Sequence, residues 1–351
     1  MARLALASPD GSASRADGRR YDSRLLAELS ARRHEATWLS LPPEFPLASG
    51  RAIDAALARL ASVPRETMLV VDELAYGTLP AEGVAALGRP VAALVRYPAS
   101  MDPALSAQDA DRLEATERAA LAAADVVVAT SAATRALLLD RFGVPKERLR
   151  VAEPGADPVP RARGGGGDVP VILTVGTVCP RKNQATLARA LGRIADLGWR
   201  WRIVGSLDAD PAYAEELRAT LATEGLVDRT ELVGEIDETA LADAYDRADL
   251  FALTSRLEGY GMAYAEALAR GLPVVAGAGE AAAGLISGAA GELVPPEDPA
   301  TIAAALRGLL TDGDALARAA RAARSAGIRL PRWFQCADVF EHLMEQAEAG
   351  R

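Results

Sequence analysis

The sequence predicts an α/β protein with two parallel β-sheets, each covered by helices on both faces. Apolar runs of strand length alternate with helical patterns from the N-terminus, and the alternation restarts at Val171. Four consecutive glycines, residues 164–167, separate the two series. At 351 residues, the chain also exceeds what one hydrophobic core usually holds. Together these observations predict two doubly wound units.

In the first unit, five apolar runs are predicted strands, at residues 4–7, 36–39, 68–71, 91–95 and 126–129. Helices are predicted at residues 23–33, 51–61 and 109–123. Ser131 is a predicted N-cap for a further helix that runs toward Arg141, because its hydroxyl can accept from the first free N–H groups.

The second unit begins with a strand at Val171, and its remaining core strands are predicted at residues 201–204, 230–233, 250–254 and 273–276. We assign residues 1–162 to the first domain, 163–168 to a linker and 169–330 to the second domain. The linker prediction follows from the four glycines, which neither pack a core nor hold a helix. Residues 331–351 have the pattern of a long C-terminal helix.

Composition excludes several classes of protein. Hydrophobic residues make up 50% of the chain and charged residues 25%, which is a globular balance. A net charge of -9 argues against a general nucleic-acid binder. The two cysteines are far apart and predict neither a disulfide nor a metal site. We expect a cytoplasmic protein, since the N-terminus reads as a strand and no apolar stretch reaches the ~20 residues that span a bilayer.

Glu258 and Glu266 flank a glycine-containing turn and are the most informative pair in the chain. A continuous helix would turn about 800° over eight residues and leave the two carboxylates roughly 80° apart and more than two turns distant. One helix face therefore does not explain the pair. Gly259 and Gly261 instead predict a loop that places Glu258 at the end of a strand.

A helix is predicted to begin near Met262, with Gly271 as its C-cap. The N–H groups around Gly261, Met262 and Ala263 would then point toward a small anion, and the helix dipole would favour negative charge there.

This segment resembles the EX7E motif of retaining family-4 glycosyltransferases, which have the GT-B fold of two Rossmann-like domains that face a central cleft. In GT-B enzymes the last helix commonly returns to the first domain, so the resemblance implies this path for the helix at residues 331–351. Further similar segments lie at residues 232–236, 248–249, 271–276 and 291–296. The resemblance implies that Glu258 contacts the donor sugar and that Glu266 binds the nucleotide ribose. It also implies that backbone groups bind the rest of the donor, at Gly259, Tyr260, Gly261, Met262, Ala263 and Ile236.

A second group of candidate residues follows the predicted strand at Val171. That strand ends in Gly176, and Arg181 and Lys182 precede the next helical pattern. Two fixed cations suit a departing nucleoside diphosphate, because they stabilise its growing negative charge in the transition state. The family has an Arg-Lys pair with this role. By resemblance, Arg181 and Lys182 are catalytic, and Gly176 joins the donor-binding residues.

The first domain departs from the family pattern. Similar sequences have a histidine pair before a proline at the end of a first-domain strand, where this chain has Arg96 and Tyr97 before Pro98. We expect Arg96 or Tyr97 to face the cleft, although neither replaces histidine at neutral pH. Further acceptor-side candidates lie in or after the first loop, namely Gly11, Gly18 and Tyr21.

The sequence does not match other nucleotide-binding motifs. A Walker A loop is absent, and the segment from Gly259 has Tyr264 where a dinucleotide fingerprint needs its third glycine or alanine. With His34 and His342 as the two histidines, a histidine metal site or a Ser-His-Asp hydrolase is not expected.

The predicted activity is metal-independent transfer of a sugar from a nucleotide diphosphate sugar, with retention implied by the resemblance. A UDP-sugar is favoured as co-substrate, a GDP-sugar is the other option, and no cofactor is expected. The acceptor is unidentified, with a small molecule favoured over a lipid. One alternative is a nucleotide-sugar-binding regulatory subunit without transfer activity, because Arg96 and Tyr97 replace the histidine site. Another is a sugar-phosphate or non-sugar group transferase on the same fold.

Overall fold

The computed structural model describes residues 1–10, 16–167, 169–286 and 288–349. It divides into two compact units. Unit 1 comprises Met1–Gly155 together with Pro331–Arg351, and unit 2 comprises Ala156–Leu330. The chain therefore passes from one unit to the other after Gly155 and returns after Leu330.

Unit 1 contains a six-stranded parallel sheet with the order β2-β1-β3-β4-β5-β6. Its strands are β1 (Arg3–Pro9), β2 (Glu35–Leu41), β3 (Thr67–Asp72), β4 (Val91–Val95), β5 (Val126–Ala129) and β6 (Leu149–Val151). Its helices are α1 (Ala16–Ala31), α2 (Gly50–Ser62), α3 (Glu73–Tyr76), α4 (Ala81–Ala85), α5 (Ala107–Ala123) and α6 (Ala132–Asp140), joined by the last helix of the chain, α14 (Trp333–Ala349).

Unit 2 repeats this architecture with the order β12-β11-β10-β7-β8-β9, again all parallel. Its strands are β7 (Val171–Val175), β8 (Arg200–Val204), β9 (Thr230–Gly234), β10 (Leu250–Leu253), β11 (Val274–Gly277) and β12 (Gly291–Val294). Its helices are α7 (Gln184–Gly192), α8 (Pro211–Thr223), α9 (Glu238–Asp246), α10 (Met262–Ala269), α11 (Glu280–Leu285), α12 (Pro299–Thr311) and α13 (Gly313–Ile328).

The central strands are apolar throughout because helices cover both faces of each sheet. Every residue of β4 is buried, as is every residue of β3. Consecutive residues of one strand serve different cores, so Ile172 packs with Trp201 on one face of unit 2 and Leu173 packs with Phe251 on the other. The continuous apolar runs in the sequence therefore reflect two-sided burial, and the predicted α/β class is confirmed.

The strand order reverses once in each unit. In unit 2 the chain runs from β7 outward through β8 to β9, then crosses to β10 on the other side of β7 and continues outward through β11 to β12. The loops after β7 and β10 therefore leave the same edge of the sheet in opposite directions and open a crevice between them. In unit 1 the corresponding point lies between β1 and β3.

Two sequence predictions need correction at the boundary between the units. Unit 1 ends at Gly155 rather than at residue 162, because Ala156 packs into a core of unit 2. The glycine run is no free linker either. The N–H of Gly165 donates to the carboxylate of Asp249 at 3.2 Å, and a Cβ on Gly164 would lie 2.5 Å from the same carboxylate. The glycines belong to unit 2 and permit close approach of this segment to Asp249, directly before β10.

The last helix packs within unit 1. The ring of Trp333, at the start of α14, meets the ring of Tyr21 edge-on with 5.7 Å between centroids. Phe340 of the same helix is fully buried. Within the described ranges, every helix is too short or too polar to cross a bilayer.

Two helical glycines give a matched test of packing in unit 2. A Cβ on Gly327 of α13 would lie 2.2 Å from the carbonyl oxygen of Leu268, whereas one on Gly308 of α12 would meet open space. We expect Gly327→Ala to lower the free energy of unfolding by about 1–3 kcal/mol through overpacking. Gly308→Ala should raise it by up to about 1 kcal/mol through helix propensity. Urea unfolding of both variants measures this, and similar effects at the two positions would contradict the described α10–α13 packing.

Candidate functional site

The loops after β7 and β10 meet at the point where the strand order of unit 2 reverses. Nζ of Lys182, from the first loop, donates to Oε1 of Glu258, from the second, at 2.8 Å. Nη1 of Arg181 lies 3.6 Å from Oε2 of the same carboxylate. The fold therefore brings together the three residues that the sequence predicts to be catalytic, although 76 positions separate Lys182 from Glu258.

These three charged side chains are nearly buried. The exposed fraction of the side chain is 2% for Lys182, 7% for Arg181 and 9% for Glu258. A buried charge is tolerated when it is paired, because its lost hydration must be replaced by other contacts. The group carries two positive charges against one negative charge, so its excess is positive. Such an arrangement favours an anion over a neutral or cationic ligand.

Short hydrogen bonds hold Glu258 and Arg181 in place. The hydroxyl of Ser255 donates to Oε1 of Glu258 at 2.6 Å, and Nη1 of Arg181 donates to the carbonyl oxygen of Leu257 at 3.1 Å. The N–H of Arg256 donates back to the carbonyl oxygen of Arg181 at 2.8 Å. The two loops are thus bonded through backbone groups as well as side chains, which preorganises the charges.

Asn183 reinforces this connection and extends it to the end of β12. Its Nδ2 donates to the carbonyl oxygens of Thr254, after β10, and Pro296, after β12, at 3.2 and 2.7 Å. The residue adopts a left-handed conformation with φ of 60°, which asparagine tolerates better than most residues. Asn183 therefore ends the Lys182 loop and begins α7 while it ties three loops together.

Two glycines have conformations that the site requires. Gly176 has φ of 155°, and a Cβ there would lie 3.2 Å from Cε of Lys182, so its absence leaves room for the lysine. Gly261 has φ of 94° and is the N-cap of α10, where a Cβ would lie 2.5 Å from the ring of Tyr264. Because Gly261 has no side chain to cap the helix, the first N–H groups of α10 are available to a ligand.

The predicted start of this helix at Met262 is confirmed, and Gly271, with φ of 73°, follows the C-cap Arg270 in the left-handed region. Tyr264 anchors the helix, since its hydroxyl donates to the carbonyl oxygen of Leu253 at 2.8 Å. Burial raises the pKa of Tyr264, and the nearby Glu258 carboxylate adds to the shift. The phenol is therefore a neutral structural donor.

The other predicted donor-binding residues lie along the same segment or at the same sheet edge. Glu266 is half-buried midway along α10, and its carbonyl oxygen accepts from Arg270 at 3.2 Å. Tyr260 is 7% exposed, and Ile236 packs against the same core shortly after β9. Ala263 accepts from the hydroxyl of Tyr245 at 3.2 Å. Gly259 is buried within the loop.

In unit 1, Arg96 follows β4 as predicted but is not an exposed cleft residue. Its guanidinium pairs with Asp22 of α1, with Asp72 at 2.5 Å and with Glu73 at 2.9 Å. The residue is 8% exposed. The expectation that Arg96 presents its side chain for a ligand is therefore corrected, because three carboxylates already engage it. They fix the start of α1 and the ends of β3 and β4 at one edge of the sheet.

The remaining first-unit candidates surround this cluster. A Cβ on Gly18 would lie 3.2 Å from Cζ of Arg96, so the arginine packs against the glycine. The hydroxyl of Tyr21, which is buried, donates to the carbonyl oxygen of Ala152 at 3.0 Å. Tyr97 is 5% exposed. Gly11 lies outside the described residues.

Burial raises the pKa of Asp22 to about 7, and this effect exceeds the opposing attraction of Arg96. The neighbouring Asp72 carboxylate raises the pKa further because two like charges compete for one cation. The cluster contains one guanidinium and three carboxylates, so its excess charge is negative, opposite to that of the site in unit 2.

Sequence reasoning missed several residues of both clusters. Ser255 and Asn183 hold the site in unit 2, and Asp22, Asp72 and Glu73 surround Arg96. A usable signal existed, because Asp72, Glu73 and Ser255 are polar residues at or directly after the end of an apolar run, where the ligand edge of a parallel sheet lies.

Both units match known families. Residues 169–312 match the family model described as glycosyl transferases group 1, and residues 20–159 match glycosyltransferase family 4. These two matches together support a glycosyltransferase of the family-4 type.

Curated glycosyltransferases are similar to this chain over part of their length. The D-inositol 3-phosphate glycosyltransferase of Xylanimonas cellulosilytica is 32% identical over 252 residues, which are 67% of this chain and 60% of the relative. The GDP-mannose-dependent alpha-(1-6)-phosphatidylinositol monomannoside mannosyltransferase of Mycolicibacterium smegmatis is 34% identical over 212 residues, or 54% of each chain. The chain thus spans about half to 60% of the curated relatives it matches.

Solved structures show the GT-B fold. Sucrose-phosphate synthase from Thermosynechococcus elongatus superimposes with a TM-score of 0.80 at 21% identity, over 99% of this chain and 100% of the other. Anabaena HepE in complex with UDP and glucose superimposes with a TM-score of 0.79 at 18% identity, over 98% and 100%. The predicted two-domain GT-B fold is therefore confirmed.

The raised pKa of Asp22 predicts a pH-dependent contribution to stability. Because the pKa is about 7 in the folded protein and 3.8 ordinarily, the folded state holds more protons between these values, and stability falls as the pH rises through this window. Asp22→Asn removes this loss. We expect the free energy of unfolding of the variant, relative to wild type, to rise by at least ~1 kcal/mol between about pH 5 and 8.

Urea unfolding across that pH range measures the difference. Asp54→Asn, at an exposed position on α2, is the control for loss of one carboxylate. A constant difference between Asp22→Asn and wild type at all pH values would contradict the assigned shift.

Proposed function

We propose that this GT-B protein, with one glycosyltransferase family match in each unit, transfers a sugar from a nucleoside diphosphate sugar to a hydroxyl acceptor. One observation carries the proposal: Arg181, Lys182 and Glu258 converge at the point of unit 2 where the strand order reverses. Ligands of open parallel sheets bind at such points.

The leaving group explains the two cations. Cleavage of the bond between sugar and diphosphate builds negative charge on the phosphate oxygens. Arg181 and Lys182 are already fixed in a nearly buried site, so they stabilise this charge without reorganisation during the reaction. The N–H groups at the start of α10 add a second set of donors for the same phosphates. We infer that these groups suffice without a metal ion.

Glu258 has two roles in this scheme. In the free protein its carboxylate neutralises part of the charge on Lys182 and Arg181 and holds both cations in place. With donor bound, the diphosphate shares these cations, and we infer that the carboxylate also accepts hydrogen bonds from sugar hydroxyls. We propose that Glu266, in the helix α10 that follows the Glu258 loop, binds the ribose, as the family resemblance implies.

We propose retention at the anomeric carbon by front-face attack, because Arg96 engages the three carboxylates described at the corresponding edge of unit 1, Asp22, Asp72 and Glu73, and we assign none of them as a nucleophile. In this route the departing diphosphate oxygen accepts the proton of the attacking hydroxyl. Arg181 and Lys182 would then assist twice, since they bind the group that both leaves and acts as base.

The donor and acceptor classes are proposed from the relatives. The names of matched proteins include a GDP-mannose-dependent mannosyltransferase, and one solved neighbour contains UDP with glucose. We favour a UDP-sugar, with GDP-mannose as the direct competitor. A small polyol or its phosphate is the favoured acceptor class, since several relatives are named D-inositol 3-phosphate glycosyltransferases.

Substitutions at the convergent charges test the proposal. Lys182→Ala should lower turnover by about 10²–10³-fold through loss of one transition-state contact. Lys146, the other lysine in the chain, is exposed on unit 1, so Lys146→Ala should leave turnover unchanged. Glu258→Ala should impair turnover more than donor binding, whereas Glu266→Ala should weaken donor binding.

A panel of UDP- and GDP-sugars, scored for thermal stabilisation and then for hydrolysis and transfer to inositol phosphates, provides these readouts. Each variant is first compared with wild type for its unliganded melting temperature. Stabilisation without turnover in wild type would favour the regulatory-subunit alternative. Unchanged turnover in Lys182→Ala and Glu258→Ala would refute the site.

A further inference from the structure

A cavity of about 340 Å³ lies at the opposite edge of the sheet in unit 2. It is lined by residues at the starts of three strands, Val171 of β7, Arg200 of β8 and Thr230 of β9, together with residues from the end of α9. Because the strands are parallel, this edge is remote from Glu258. Five strand residues extend about 16 Å, so a ligand here is separate from the proposed donor site.

The cavity lining is strongly basic for a protein of net charge -9. Four arginines contribute to it, Arg200, Arg202, Arg229 and Arg247, against two acidic residues, Asp228 and Glu231. These six side chains carry an excess of two positive charges, of which the ion pair between Arg247 and Asp243 offsets one. A cavity with low-dielectric walls concentrates such a field and attracts anions.

Arg202 has an unusual position for a strand residue. It lies on β8, between β7 and β9, and its neighbour on β7 is Leu173, a core residue. Its cross-strand partner on β9 is Glu231, with Nε 3.2 Å from the carboxylate. The side chain of Arg202 is 30% exposed, whereas that of Glu231 is 62% exposed. The arginine is therefore the less solvated member of this pair and loses more of its hydration.

Two of the other arginines, Arg229 and Arg200, retain positive charge at the cavity, whereas Arg247 is paired with Asp243 at 2.9 Å. Arg229 stacks on Trp199 at 4.1 Å and donates to the carbonyl oxygens of Ala195 and Leu197, so no carboxylate neutralises it among these contacts. Among the residues that the structure describes, the side chain of Arg200 makes no ion pair. It lies two positions before Arg202 on the strand, so both point to the same sheet face.

We propose that this cavity binds a small polyanion, a phosphate ester or a polycarboxylate, at a site distinct from the donor site. Arg200 and Arg202 supply the primary charge, and Arg247 lines the site from the end of α9, where it also pairs with Asp243. The proposal rests on the cavity of unit 2 alone and holds whatever sugar the protein transfers.

Binding of inorganic pyrophosphate and of citrate to the full chain tests the proposal, by calorimetry and thermal shift at constant ionic strength. Arg200→Gln/Arg202→Gln should weaken binding by at least about tenfold, because each charged hydrogen bond is worth about that factor. Arg200→Gln/Arg247→Gln changes two exposed side chains and provides a second variant with little risk to folding.

Two controls distinguish this cavity from other cationic sites. Arg189→Gln/Arg218→Gln removes the same charge from exposed positions of unit 2 and should leave binding unchanged. Lys182→Ala alters the proposed donor site, and this variant should still bind one anion at the cavity. The preferred probe, pyrophosphate or citrate, identifies phosphate or carboxylate as the natural group.

No binding of either anion would overturn the proposal. So would binding that Lys182→Ala abolishes and both cavity variants retain, since the anion would then occupy the donor site. An equal loss in the Arg189/Arg218 control would show general charge attraction and would also refute the cavity as the binding site.

Discussion

The ion pair between Lys182 and Glu258 is the interaction on which the arrangement of unit 2 depends. It joins the loops after β7 and β10, the two strands between which the chain reverses its winding direction. Both side chains are nearly buried, so removal of one leaves the other charged and poorly solvated. The carboxylate of Glu258 therefore has two effects. It holds the two loops together, and it determines how much positive charge remains to attract an anion.

The two units share an architecture, a six-stranded parallel sheet whose strand order reverses once, but they carry opposite excess charge at the reversal. In unit 2, Arg181 and Lys182 exceed the single carboxylate of Glu258. In unit 1, Arg96 is surrounded by three carboxylates, including Asp22, whose pKa of about 7 lets protonation relieve part of the repulsion. The fold thus determines where polar residues collect, and side-chain identity determines which ligand charge each edge attracts. Of the two edges, as far as the structure describes them, the one in unit 2 has the positive excess that favours an anion.

Local sequence patterns predicted most of the fold because the central strands are buried on both faces. The strand at Val91–Val95 was predicted with its observed ends for this reason. The short β12 was missed, since only Val294 of its four residues is buried and Glu292 is exposed. The glycine run was wrongly predicted to be a free linker for a different reason. Gly165 contacts Asp249, which is 84 positions away in the sequence, and composition carries no information about such a partner.

The same distinction applies to the sites. Arg181, Lys182 and Glu258 were predicted because each lies in a recognisable local segment. The partners of Arg96 were not, because Asp22 lies 74 positions away and a lone aspartate in a helix has no local signature. A charged residue after a buried strand therefore predicts that an edge is polar, but its exposure depends on non-local carboxylates.

Unit 2 contains cations at both edges of one sheet, and their environments predict different behaviour toward salt. Lys182 and Arg181 are nearly buried beside a fixed carboxylate, so mobile ions screen them weakly. Arg200 and Arg247 are exposed, and their attraction for an anion must fall as ionic strength rises. Under the two proposals, binding beside Glu258 would accordingly be governed by geometry and preorganised hydrogen bonds, whereas binding at the arginine-lined cavity would be governed by net charge. The salt dependence of anion binding thus separates the two edges independently of any substitution.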